Sequence, residues 1–281
     1  MTAAEGRGRE GWGERIARAF AVFLDPRVLI ILLLGFSSGL PLALSASTLL
    51  LWMKDVGVDH KTIGLFALVG VPYTIKFLWA PIVDAFQVPI LSKALGHRRG
   101  WLVFTQLLLI ASILFLGFQD PVRAPLMVAL AALLVATASA TQDIVIDAFR
   151  VEYLPTDAQA AGMAYFVAAY RIGMLVSTAG SVAFVAYLEY LGIDRGLVWT
   201  YGYAAMAALV LVGMAAAFMA KEPRAKEREA EAEALGERTG NPLNRFFRAA
   251  YDAFADFLSK KDALLILLFV KAFLFRWCSG E

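Results

Sequence analysis

Leu126-Met-Val-Ala-Leu-Ala-Ala-Leu-Leu-Val-Ala-Thr-Ala-Ser-Ala-Thr-Gln-Asp143-Ile-Val-Ile-Asp147-Ala-Phe-Arg150 begins as a lipid-compatible helix and ends with two carboxylates. Its length and apolar lead fit a membrane span. An acid near the middle of a bilayer helix costs about 2.5–3.5 kcal/mol on insertion scales, and such residues face a polar cavity or pathway. The stretch therefore predicts a polytopic membrane protein with a solute pathway, and specifically a proton-linked one.

Composition agrees with that class. The chain has 281 residues, 60% of them hydrophobic and only 18% charged, a balance rare in soluble domains. The net charge of +2 gives no support to a nucleic-acid role. Cys278 is the single cysteine, which excludes an internal disulfide. The N-terminal region shows no cleavable signal pattern. Trp12, Ile16, Phe20 and Phe23 recur at helical spacing, as in an interfacial helix, although a solvated tail fits equally well.

Six apolar segments of spanning length run over roughly 28–50, 63–83, 101–119, 126–148, 160–188 and 197–220. They organise the chain as an N-tail (1–27), a six-helix transmembrane bundle (28–220), a charged linker (221–262) and an apolar tail (263–281). Within the linker, Phe247, Tyr251, Phe254 and Leu258 form the stripe of an amphipathic helix. The last run carries Lys271 and ends Arg276-Trp-Cys-Ser-Gly-Glu; at about 15 residues it is short for a span and reads as a truncated seventh helix. With the N-terminus inside, the cytoplasmic connections hold 18 of the 26 basic residues and the opposite loops hold 4. That asymmetry predicts a cytoplasmic N-terminus.

Helical periodicity then groups the polar residues. Asp143 and Asp147 share a face with Ser139 and Arg150. Tyr73, Lys76 and Asp84 share a face of the second span. On the fifth, Gly162, Ala169, Gly173 and Gly180 form a small-residue surface suited to close helix contact, which turns Arg171 toward something roomier. Lys76, Asp143 and Arg171 lie at similar depth. Protonation of Asp143 would break a pair with Lys76 or Arg171 and free that cation for an anionic substrate, since desolvation and a neighbouring cation act on a carboxyl in opposite senses. A fixed structural ion pair is the alternative reading, and Asp147 and Arg150 also suit boundary charges that snorkel to water. Gly39 and Pro41 predict a kink in the first helix, with Ser37 and Ser38 able to re-satisfy a freed carbonyl. Pro72 and Pro81 bend the second. Asp84, followed by Gly96-His97-Arg98-Arg99-Gly100, predicts a conformational latch at the cytoplasmic side, although positive-inside anchoring also explains the arginines.

The Asp84 and Gly96-His-Arg-Arg pattern resembles the loop signature between helices two and three of the major facilitator superfamily. Here Ala80 stands for the usual glycine, and about eight extra residues separate the acid from the basic cluster. Within that superfamily the chain resembles the anhydromuropeptide permease (AmpG) family. The matching stretches are Gly35-Phe-Ser-Ser-Gly-Leu-Pro-Leu-Ala-Leu, Lys61-Thr-Ile-Gly-Leu-Phe-Ala-Leu-Val-Gly, Lys76-Phe-Leu-Trp-Ala-Pro, Arg98-Arg-Gly-Trp-Leu, Ser139-Ala-Thr-Gln-Asp-Ile-Val-Ile-Asp-Ala and Tyr170-Arg-Ile-Gly-Met-Leu-Val-Ser. They cover most of residues 28–180.

The resemblance implies an all-α, six-helix N-terminal half of a major facilitator fold. It implies proton-coupled import of anhydromuropeptides for peptidoglycan recycling across a bacterial inner membrane, with Gln142, Asp143 and Asp147 in the pathway. The expected partners are the muropeptide, protons, the lipid bilayer and, because only half of such a fold is present, a second half-transporter chain. Neither a cofactor nor a metal is expected. Rival readings are a transporter of another amphipathic solute, a truncated remnant, and a magnesium-dependent membrane transferase built on Asp143-x3-Asp147. The last lacks the second aspartate cluster it would need.

Overall fold

Proline and aspartate set where the helices begin. Asp25 accepts the backbone N–H of Arg27 at 2.8 Å, and Pro26 opens the first helix where its missing donor costs nothing. Asp194 caps the last described helix in the same way, through Gly196 N–H at 2.7 Å. Pro125 opens the helix that carries the two aspartates. The computed structural model describes residues 24–59, 63 and 66–223. The interfacial-helix reading of the N-tail, the amphipathic stripe near Tyr251 and the run containing Lys271 lie outside those residues.

The described chain is helical throughout. Helix α1 (Pro26–Ala43) passes through a π-helical turn (Leu44–Thr48) into α2 (Leu49–Asp55). Two short helices follow, α3 (Val71–Ile75) and α4 (Ala80–Ala85), with 3-10 turns at Phe66–Gly70 and Lys76–Leu78. Helix α5 (Leu91–Leu95) leads into α6 (His97–Gly117), and α7 (Pro125–Tyr153) comes next. Helix α8 (Gln159–Leu175) passes through a second π turn (Val176–Gly180) into α9 (Ser181–Tyr190), and α10 (Arg195–Met219) completes the order. Five of these stretches are long and apolar enough to cross a membrane: Pro26–Asp55, His97–Gly117, Pro125–Tyr153, Thr156–Tyr190 and Arg195–Met219. A helix satisfies its own backbone groups, which is what the bilayer interior demands.

One expectation needs correction. The second apolar segment, read as one span over 63–83, is a series of short helical pieces. Pro72 and Pro81 each start a new piece, because proline can enter a helix at its first turn but removes a donor from its interior. The expected kink at Gly39 and Pro41 falls within a continuous helix. That helix runs past both residues, and the irregularity falls just beyond, in the π turn at Leu44–Thr48. There Ser45 Oγ donates to the carbonyl of Pro41 at 2.8 Å.

Residues 24–76 and 87–223 form one compact unit, and residues 77–86 are grouped separately from it. Within the main unit α1 is central and packs on α7, α8 and α10. Its tightest partner is α8. A methyl group on Gly35 would lie 2.6 Å from the carbonyl oxygen of Phe166, and one on Gly39 would lie 2.9 Å from the carbonyl carbon of Tyr170. Gly173 is pressed in return against the backbone of Phe36. Small residues allow this approach, and dispersion contacts rather than solvent release hold helices together in lipid. At one end of the unit Trp52 stacks on Trp199, 6.0 Å between centroids, and tilts against Tyr203 at 5.0 Å. The indole N–H of Trp199 donates to Asp55 at 2.9 Å.

Candidate functional site

Helix α7 is 29 residues long, about 43 Å at 1.5 Å per residue, and so exceeds a hydrocarbon core of about 30 Å. Its polar face grades from buried to exposed toward the end of the helix. Ser139 and Gln142 are fully buried. Asp143 has a side chain 13% exposed, and that of Asp147 is 52% exposed.

Asp143 is the centre of the buried part. One carboxylate oxygen accepts the hydroxyl of Ser38 on α1 at 2.5 Å. The other faces the Nζ of Lys76 at 3.6 Å. Lys76 opens a 3-10 turn, so its position depends on the broken segment rather than on a continuous helix. Tyr73, one turn earlier, brings its hydroxyl beside those of Ser45 and Ser139 and within electrostatic reach of Asp143. Tyr170 of α8 is within reach of both Asp143 and Arg171. Next to Tyr73 a cavity of about 370 Å³ opens between α1 and the broken segment, lined by Leu42, Ser45, Ala46, Ile63, Val69 and Tyr73. It is an apolar space with a hydroxyl at its edge and a charged pair one turn away.

The remaining candidates are distributed around this centre. Asp147 and Arg150 pair within one turn of α7 at 3.4 Å. Arg150 also reaches α8, where it meets the sulfur of Met163 at 2.7 Å and lies 5.8 Å from the Phe166 ring centroid. Arg171 is exposed and has no ion pair among the described residues. The structure thus brings Lys76, Asp143 and Tyr73 together, joins Asp147 to Arg150, and leaves Arg171 outside the pair. Gln142 is buried with neither end of its carboxamide partnered among the described residues.

The basic cluster of the 84–100 loop has definite partners. The guanidinium of Arg98 clasps Glu152, at the end of α7, at 2.6 and 3.1 Å. Side-chain exposures of 5% and 13% place the pair inside the protein. The backbone N–H groups of Arg98 and Arg99 donate to the carboxylate of Glu222 at 2.8 and 3.0 Å. Glu222 therefore satisfies donors that the first turn of α6 cannot use itself, and it places a negative charge at the positive end of that helix. Gly96 makes room, since its φ of +96° and the Glu222 carboxylate both exclude a side chain. Arg99 in turn donates to the carbonyls of Ala217 and Phe218 at 3.0 and 3.1 Å, closing the end of α10. Asp84 is exposed and belongs to the separately grouped segment.

Sequence reasoning missed Glu152, Glu222 and Tyr170, and it saw Ser38 only as a helix-kink hydroxyl. Glu222 was absorbed into the charge run that starts at Lys221. Its proline neighbour, Pro223, was the available sign of a helix stop close to the membrane.

Residues 31–278 match the Major Facilitator Superfamily. The chain is 44% identical over 202 residues to the anhydromuropeptide permease of Escherichia coli (strain K12), an alignment covering 72% of this chain and 39% of that protein. It is 32% identical over 233 residues to a Rickettsia felis protein named as transporter AmpG 1, covering 81% of this chain and 51% of the relative. Another R. felis protein, named as transporter AmpG 4, is 30% identical over 249 residues, with coverage of 89% and 56%. The chain thus spans between about two fifths and a little over half the length of these curated relatives.

Proposed function

This chain belongs to the major facilitator superfamily, and from that premise we propose that it serves in proton-coupled import of anhydromuropeptides across a bacterial inner membrane, with its N-terminus in the cytoplasm. The observation that carries the reading is the half-buried Lys76–Asp143 pair with its Ser38 hydrogen bond. The name of the E. coli relative supplies the substrate class, and the excess of basic residues in alternate connections supports the orientation.

In the proposed cycle the cation and the acid neutralise each other while the site is empty. A proton arriving on Asp143 removes the negative charge that holds Lys76. The freed ammonium can then bind a carboxylate of the cargo, for which the neighbouring cavity offers an apolar wall. When the proton leaves, Lys76 is drawn back and the cargo anion is displaced. A ligand that binds only one state shifts the equilibrium by its differential affinity alone, and a pair making or breaking supplies such a difference. In this superfamily the substrate lies between two halves near the membrane midplane. A second half completes the pathway in this proposal. Gln142, Asp147 and Arg171 border the pathway, and the Arg98, Arg99, Glu152 and Glu222 cluster acts as the latch for one state.

The test is accumulation of labelled anhydromuropeptide in proteoliposomes carrying this chain, alone and together with the remaining length of the E. coli relative, under an imposed pH gradient. Gradient-driven accumulation that Asp143→Asn abolishes is the expected result. Accumulation indifferent to the gradient, or undiminished in Asp143→Asn, would refute the mechanism.

A further inference from the structure

At the end of the bundle opposite the Arg98–Glu222 cluster, three helices border a cavity that the proposed pathway does not use. Arg99 reaches the last turn of α10. The cavity lies near the first turn of that helix, where Trp199 borders it together with residues of α2 and α9. Its volume is about 480 Å³, inside the range of about 300–1,000 Å³ that holds small ligands. Part of the lining is apolar, from Leu51 of α2 and Val182 and Val185 of α9. Leu51 and Val182 are 47% and 39% exposed, so this apolar wall continues onto the outside of the unit. The charged part comes from Lys54, Asp55 and Glu189.

The order of these residues along the helices matches an amphiphile. The apolar stretch Pro26–Asp55 ends on Asp55, and Thr156–Tyr190 ends one residue after Glu189. The three charges therefore sit where the helices leave the apolar layer, while Leu51, Val185 and Val182 lie one to two turns deeper. Tyr187 and Tyr190 stand at the level of the charges, 55% and 86% exposed, as aromatic side chains do at a headgroup boundary. The charges also retain binding capacity. Lys54 is exposed and has no ion pair among the described residues. One oxygen of Asp55 accepts the indole N–H of Trp199 at 2.9 Å, and the other has no partner among the described residues. Glu189 pairs with Arg195 at 3.5 Å, but the Arg195 side chain is 89% exposed, and such a surface pair is weak and easily exchanged.

We propose that this cavity binds the headgroup of a zwitterionic membrane phospholipid with a primary ammonium, its phosphate on Lys54 and its ammonium shared by Asp55 and Glu189. The acyl chains then run inward over Leu51 and Val182. Charge complementarity selects this occupant. One cation beside two carboxylates matches a molecule that carries both signs, whereas an anionic headgroup would meet the carboxylates as like charges. A primary ammonium offers three N–H donors to those acceptors, and a quaternary ammonium offers none. Pockets of charged side chains between membrane helices hold headgroups on the same principle. The site shares no residue with the Asp143 centre and does not depend on the import reading.

The test is quenching of Trp199 fluorescence by lipids brominated on their chains close to the headgroup, with the full chain in bilayer nanodiscs. The signal from Trp199 is the quenching that Trp199→Phe loses. Phosphatidylethanolamine should half-quench it at a mole fraction at least fivefold below that of phosphatidylglycerol or phosphatidylcholine. Lys54→Gln and Glu189→Gln should each bring that ratio below two, with an unchanged circular dichroism spectrum, since both keep the side-chain shape outside the buried core. Ala186→Leu narrows the cavity and should weaken quenching by all three lipids. A wild-type ratio near one, or a ratio that survives both charge changes, would overturn the headgroup site. Trp199 untouched by every brominated lipid would overturn it as well, and would assign this face to protein or cargo.

Discussion

Replacing Gly39 by alanine asks α1 and α8 to separate. The new methyl carbon would stand 2.9 Å from the carbonyl carbon of Tyr170 and 3.0 Å from its Cα, with the carbonyl oxygen nearer still. Carbon atoms in favourable contact sit about 3.5–4.0 Å apart. The helices must therefore part by about 0.5–1 Å along the most closely packed seam of the bundle. All the obstructing atoms belong to backbone, so no rotamer change relieves them. Overpacking of this kind costs about 1–3 kcal/mol. Removing glycine from a helix returns about 0.5–1 kcal/mol through backbone entropy, leaving a net loss of about 1 kcal/mol. For a chain of this size that lowers the melting temperature by about 2–4 °C. Gly180→Ala is the matched control, because its methyl would meet only Val176 at an ordinary 3.6 Å. Thermal unfolding of both variants in the same detergent reads the difference. If Gly39→Ala melts with the control, the seam is not the close contact described above.

Glu152→Gln removes one counter-charge from the buried Arg98 guanidinium and should cost about 1–3 kcal/mol, read as a fall in unfolding temperature. Arg98→Lys should restore little, because an ammonium cannot reproduce the two-pronged contact. Glu222→Ala removes the acceptor for two N–H groups at the start of α6. It should lower stability by about 1–2 kcal/mol, with increased amide hydrogen exchange confined to residues 98–100. Trp199→Phe keeps the ring stack but loses the 2.9 Å bond to Asp55, an expected cost of about 1 kcal/mol in the same melting assay. Lys76→Met should abolish cargo accumulation as Asp143→Asn does, while Arg171→Met should retain a measurable part of it. Equal loss in both would assign the cation role to the wrong residue.

Hydropathy and helical period were enough to locate five stretches long and apolar enough to cross a membrane, because lipid imposes one requirement on every residue of a span regardless of its neighbours. The same logic separated the small-residue face of α8 from Arg171, and Gly173 does meet α1. The second segment was harder to read. Its apolar content satisfied the length rule, yet Pro72 and Pro81 divide it into short pieces, so hydropathy saw a span where backbone chemistry makes breaks.

What only the tertiary structure decided is who stands opposite whom. Periodicity offered Lys76 and Arg171 as equal partners for Asp143, and the packing chose Lys76. Ser38 meets Asp143 from 105 residues away, and Glu222 meets Arg98 from 124. No local pattern encodes such pairs, since they depend on the rotation and depth at which separate helices come to rest. The cavity beside Lys54 was invisible for the same reason. A lysine at the end of a span acquires meaning only when Glu189 and Trp199, on other helices, border one space with it.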